Sequence, residues 1–128
     1  MYIISCCFIF YLYICTMRDN SLLKGTLQTI ILKLLEDNGR MYGYEITQRV
    51  KDVSGGGIML TEGALYPALH KLQADGFLKT TTEIVDGRAR KYYLLTEHGG
   101  KEVTNKVNEA QAFIEQMQNL LNLKPAVK

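Results

Sequence analysis

No cysteine follows residue 15, no tryptophan occurs anywhere, and the 128-residue chain holds only two prolines. The missing cysteines leave residues 17–128 without a disulfide framework or a thiolate metal site. That fits a reducing compartment, and the expected location is the cytoplasm. Charge of one sign is also scarce: 15 basic against 13 acidic residues leave a net charge of +2. Bulk charge therefore brings no affinity for nucleic acid, and any such site must come from local clustering. Signatures of the common enzyme classes are absent. There is no G-x-S-x-G and no H-E-x-x-H, and Gly55-Gly56-Gly57 lacks the Lys-Ser/Thr of a phosphate loop. His70 and His98 have no cysteine or acidic partner at metal-ligand spacing. Neither an enzyme, a metal nor a cofactor is expected. The length allows one domain with a core that needs no staples, and the composition, 47% hydrophobic and 22% charged, excludes long disorder.

Residues 1–16, MYIISCCFIFYLYICT, carry no charge but all three cysteines, Cys6, Cys7 and Cys15. A signal peptide wants a positive leading region, whereas the first basic residue is Arg18. A membrane span needs about 20 apolar residues, and this run is shorter and laced with Tyr2, Tyr11 and Tyr13. The preferred reading places the true start at Met17, with 1–16 an upstream extension; a membrane anchor is the alternative.

Beyond Met17 the periodicity predicts four helices and a hairpin. Leu27, Ile30, Ile31 and Leu34 form a helical stripe within 22–35, and Asp37-Asn38-Gly39 stops it. A second helix over 42–53 has Ile46, Val50 and Val53 as its buried stripe, and 54–57 is a flexible connection. Thr61 and Glu62 open a third helix with Leu65, Leu69 and Leu72 facing inward, closed by Asp75-Gly76. Pro67 either sits inside this helix, over the side-chain-free Gly63, or marks a later start. The β-branched run 77–85, the turn dipeptide Asp86-Gly87 and 88–95 predict a two-stranded hairpin. Thr96 caps a fourth helix over about 97–121. Its Val103, Val107, Ala110, Ile114, Met117 and Leu121 repeat as a heptad seam, widened by Phe113 and Leu120. Such a helix is roughly 35 Å long, too long for its own small domain to cover, so pairing with a second copy is expected.

The expected fold is mainly α with a small β-hairpin wing: a winged helix-turn-helix over 17–95, a dimerisation helix over 96–122 and a tail over 123–128. A capped short helix after a glycine-rich turn can enter a major groove. Glu62, Gly63, Tyr66, His70 and Gln73 lie off the leucine stripe on that helix and, with Thr61 at its cap, are candidates to face DNA. This face is poor in positive charge, which the hairpin supplies through Arg88, Arg90 and Lys91 around its glycine turn. Tyr42 and Tyr44, at the start of the second helix, could touch phosphate or serve as packing. A two-fold dimer would set two recognition helices about 34–36 Å apart, one DNA turn, on a palindromic operator.

Residues 22 to about 100 resemble the PadR family of bacterial transcriptional regulators. The likeness rests on Leu23-Lys24-Gly25-Thr26-Leu27, Tyr42-Gly43-Tyr44-Glu45-Ile46, Gly63-Ala64-Leu65-Tyr66-Pro67-Ala68-Leu69, Leu72 to Gly76, Gly87-Arg88, Arg90-Lys91-Tyr92-Tyr93 and Leu95-Thr96. A single C-terminal helix resembles the smaller subfamily. The resemblance implies a homodimeric repressor released from DNA by a small aromatic or amphipathic ligand. By position it implies DNA contact through Tyr66, Lys71, Arg88, Arg90 and Lys91. Some small members sandwich flat drugs between tryptophans at the dimer interface; here Ala110 stands at that position and the chain has no tryptophan. Two other readings remain: a winged-helix protein-interaction module without DNA binding, and a membrane-tethered regulator if 1–16 is translated.

Overall fold

The structure is a computed structural model describing Leu23 and residues 25–123. The apolar leader 1–16, with every cysteine, Leu22 and the tail residues 124–128 lie outside the described residues. Within them the order is α1 (Leu27–Asn38), β1 (Arg40–Tyr42), α2 (Gly43–Val53), α3 (Glu62–Ala74), β2 (Leu78–Val85), β3 (Arg88–Leu95) and α4 (Glu97–Leu120). This is a winged helix-turn-helix followed by a long helix, as the pattern of the sequence predicts. The wing differs in one respect. It is a three-stranded antiparallel sheet, ordered β1-β3-β2, rather than a bare hairpin.

Helix α1 is the centre of the core. Of the expected stripe, Leu27 and Ile31 are buried and Ile30 and Leu34 half-buried, whereas Leu35 and Leu32, off the stripe, are buried too, Leu32 with no exposed surface at all. One stripe accounts for one packed face; α1 packs against α4 on one side and against α3 and the sheet on others, so a second line of side chains is enclosed. Gly39, with φ +84°, caps α1 and turns the chain directly into β1. In α2, Ile46 and Val50 are buried, whereas Val53 is 72% exposed. The helix ends there, and Gly56 N–H closes back on Lys51 O at 2.8 Å, so Val53 has no core beneath it. The connection expected to be flexible is bonded: Ser54 Oγ accepts from Ile58 N–H at 3.0 Å.

Helix α3 starts at the Thr61 cap, whose Oγ1 accepts from Ala64 N–H at 3.3 Å. Pro67 sits inside the helix, the first of the two readings. Leu65, Leu69 and Leu72 are completely buried. The β2–β3 turn places both Asp86 (φ 54°) and Gly87 (φ 77°) in the left-handed region, the signature of a type I′ turn. Tyr93 is buried and Tyr92 half-buried on the opposite face, as strand alternation demands.

The start of α4 is fixed to the end of α3. Thr96 Oγ1 donates to Gly76 O at 2.6 Å and accepts from Gly99 N–H at 3.0 Å, while Thr96 N–H donates to Phe77 O at 3.0 Å. Gly99 lies so close that a Cβ there would stand 2.1 Å from the Phe77 carbonyl oxygen. Gly100, one residue on, has open space around it. From this joint α4 runs 24 residues, about 36 Å. Its first half packs on α1: Val103 is buried and Val107 half-buried in the protomer's own core. That corrects the expected seam at its beginning, since Val103 has only 2% of its surface left to offer a second copy.

Gly99→Ala is expected to destabilise the chain by about 1–3 kcal/mol through overpacking against backbone. Gly100→Ala, with no neighbour to meet, is expected to gain about 0.5–1 kcal/mol from helix propensity. Urea unfolding of the two variants checks the pair.

Candidate nucleic-acid interface

The solvent face of α3 carries Glu62, Gly63, Tyr66, His70 and Lys71, all exposed, with Thr61 exposed at the cap. This face is held rigid from behind by the three buried leucines. Tyr66 is tied down most. It is 39% exposed, and its hydroxyl lies 2.9 Å from where a Cβ on Gly43 would be. The ring crosses from α3 to the start of α2, and only a glycine at 43 leaves it room. Tyr66 thus packs across the helix-turn-helix junction while keeping an exposed edge.

Tyr42 and Tyr44 part ways. Tyr44 is 61% exposed at the first turn of α2. Tyr42 is the last residue of β1 as well as the cap of α2, where its N–H donates to Glu45 Oε1 at 3.4 Å. Its register partner across the sheet is Tyr92, and the two rings meet edge to face at 5.6 Å and 85°.

The wing's three cations do not share one rim. On β3, Arg88 and Arg90 point to the outer face with Tyr92, and Lys91 to the other face with the buried Tyr93, because side chains alternate along a strand. Lys91 Nζ lies 5.5 Å from the Tyr93 ring centre. Arg88 is exposed, whereas Arg90 is half-buried with its guanidinium 4.2 Å over the Tyr42 ring. A shallow hollow at the wing tip is lined by Val85, Asp86, Arg88, Ala89 and Arg90.

Two residues of this face escape a reading of the sequence, Arg40 and Glu83. They are 43 residues apart and form a bidentate ion pair across the sheet. Arg40 also lies 4.3 Å over the Tyr92 ring. The Arg40 hydrogen bond holds the Glu83 carboxyl below the ordinary carboxylate range. Among the described residues no cluster of histidines, cysteines or carboxylates could hold a metal ion, and no helix is long and apolar enough to cross a membrane.

The apolar residues late in α4 project away from the core. Phe113, Ile114 and Leu120, with Leu121 at the C-cap, are each more than half exposed; Ala110, a turn before Phe113, and Met117, between Ile114 and Leu120, are half-buried. Between this helix and the start of α1 lies a groove of about 310 Å³, lined by Gly25, Thr26, Gln28, Thr29, Lys106, Glu109, Ala110 and Phe113.

An exposed, rigidly backed α3 beside a cation-tipped hairpin defines the winged-helix class of regulators. The profile of the transcriptional regulator PadR-like family matches residues 31–105, more than half of the chain. The chain belongs to this family; it is a transcriptional regulator and not an enzyme. It is 40% identical over 81 residues to the transcriptional regulator Rv3488 of Mycobacterium tuberculosis, covering 63% of this chain and 72% of that one. A transcriptional regulator from Clostridium thermocellum superimposes with a TM-score of 0.68 at 28% identity, covering 80% of this chain and 95% of the other. The Bacillus subtilis PadR solved with operator DNA gives 0.58 at 33% identity, over 63% of this chain but 46% of that longer protein.

Because the folded-state pKa of Glu83 is lowered, its ion pair contributes stability at neutral pH. That contribution is lost as the pH falls through the lowered value. Glu83→Gln is therefore expected to flatten the acid side of the stability profile below the ordinary carboxylate range while leaving its alkaline side unchanged. Thermal melting midpoints across a pH series check this.

Proposed function

We propose that the chain is a homodimeric repressor that binds a palindromic operator through α3 and the wing, acts in the cytoplasm, and is released by a small aromatic or amphipathic ligand. The observation that carries the dimer is the distal half of α4. Phe113, Ile114, Leu120 and Leu121 stand exposed along one helix with none of the protomer's own core beneath them. Four large apolar side chains on one helix are an aggregation liability unless covered, and a second copy of the same helix is the economical cover.

The division of labour on DNA follows from charge. The face of α3 holds Tyr66 and His70 with one cation, Lys71, and suits base-edge contact. Arg88, Arg90 and Lys91 around the wing tip suit phosphate or minor-groove contact. Tyr44, 61% exposed at the start of α2, suits contact with a phosphate. The relative crystallised with operator DNA supports duplex DNA as the partner. For the effector, the groove between α1 and α4 supports a small molecule near the dimer interface, with Phe113 its aromatic lining residue. Genomic pull-down sequencing of the tagged protein would give the operator, and a recovered motif without two-fold symmetry would contradict the reading.

Arg88→Ala, a change at an exposed side chain, is expected to weaken binding to all duplex sequences and to lower the salt slope by about 1; fluorescence titration over a salt series checks it. Ile114→Asp with Leu121→Asp is expected to give a folded monomer with poor operator affinity. Sedimentation showing an intact dimer would contradict the assignment of α4.

A further inference from the structure

We infer that Tyr42 is a positioning residue for DNA binding, acting through Arg90, and that Arg40 serves the same end by occupying Glu83. The inference rests on the wing being a DNA contact. On the outer face of the sheet four side chains interlock in a row. Arg40 lies over Tyr92, Tyr92 meets Tyr42 edge to face, and Tyr42 carries the Arg90 guanidinium at 4.2 Å. Strands β1 and β3 supply the row, with Tyr42 facing Tyr92 across them, and β2 sets Glu83 opposite Arg90.

The register poses a problem that this arrangement resolves. Glu83 is the cross-strand partner of Arg90, and opposite charges at such a site ordinarily pair. A paired Arg90 would be spent on its own sheet and useless to a phosphate. Instead Glu83 is taken by both terminal guanidinium nitrogens of Arg40, which reaches it from the far strand over the face of Tyr92. Among the described residues the ion pairs are those of Lys33 with Glu36 and Asp37 and of Arg40 with Glu83, so Arg90 keeps its charge unneutralised. Tyr42 carries that guanidinium on its ring face and the Tyr92 hydroxyl draws on one side of it; the ring contact itself uses no hydrogen-bond donor, so the remaining donors stay available to an anion. An arginine held in place before binding loses less side-chain entropy when it engages phosphate. On this view Tyr42 needs no contact with DNA of its own.

The test is a salt titration of the full chain on a mixed-sequence duplex, with folding of every variant confirmed by thermal melting. Tyr42→Phe, which keeps the ring face, is expected to bind as wild type. Tyr42→Ala is expected to bind about 2- to 10-fold more weakly, with a salt slope lower by about 1. Tyr42→Ala combined with Arg90→Ala should be no weaker than Arg90→Ala alone. A second arm leaves the tyrosines intact. Arg40→Ala should release Glu83 onto Arg90 and weaken binding, and adding Glu83→Gln should restore it. Full additivity of Tyr42→Ala and Arg90→Ala, or Tyr42→Ala binding as wild type while Arg90→Ala is impaired, would overturn the inference alone. Failure of Glu83→Gln to restore binding to the Arg40→Ala variant would overturn the part played by Arg40. An Arg90→Ala variant indistinguishable from wild type would overturn the wing contact and this inference with it.

Discussion

The structure depends on the contact between Gly99 and the backbone of Phe77. Here the chain has just ended α3 and entered β2, and twenty residues later it returns through β3 to begin α4. Thr96 bonds to both Gly76 and Phe77, and Gly99 approaches the Phe77 carbonyl more closely than any side chain would allow. Three elements, α3, the wing and the long helix, therefore share one rigid corner. The direction in which α4 leaves the domain is set there by backbone against backbone, where tolerance is smallest. If α4 joins two copies, this corner decides how far apart the two α3 faces stand.

The chain has almost no net charge, and the fold makes use of that by sorting charge between faces. Arg40 with Glu83 and Lys33 with Glu36 and Asp37 are neutralised locally. Such exposed pairs add little stability individually. The Arg40–Glu83 pair also occupies the carboxylate that faces Arg90 across the wing. With a net charge of only +2, positive charge at the wing is local, from Arg88 and Arg90 on one face and Lys91 on the other, around a turn that holds Asp86.

Much of this was legible in the residues. The 65, 69, 72 spacing, the Thr61 and Thr96 caps and the Asp86-Gly87 turn each carry their own local cause, and each lies in the structure where the sequence puts it. What escaped depends on partners distant along the chain. Strand β1 has three residues, too few for any period to register, and exists only because β3 offers it an edge. The Arg40–Glu83 pair bridges 43 residues. Leu32 is buried because α1 is central, and Val53 is exposed because α2 ends at it; neither fact is visible in the helical period of one segment. Val103 continues the heptad spacing of α4 yet belongs to the protomer's own core, since a seven-residue repeat does not say which neighbour it faces. The candidate DNA residues were found by type, but their allocation to two faces of the wing required the register.

The most direct test of the account is the mass of the complex with its operator. Sedimentation equilibrium of the reduced protein, mixed with the duplex recovered from the genome, should give two protomers per duplex at saturation and no stable complex with one. A single protomer bound per duplex, or no association with double-stranded DNA even at low ionic strength, would contradict it.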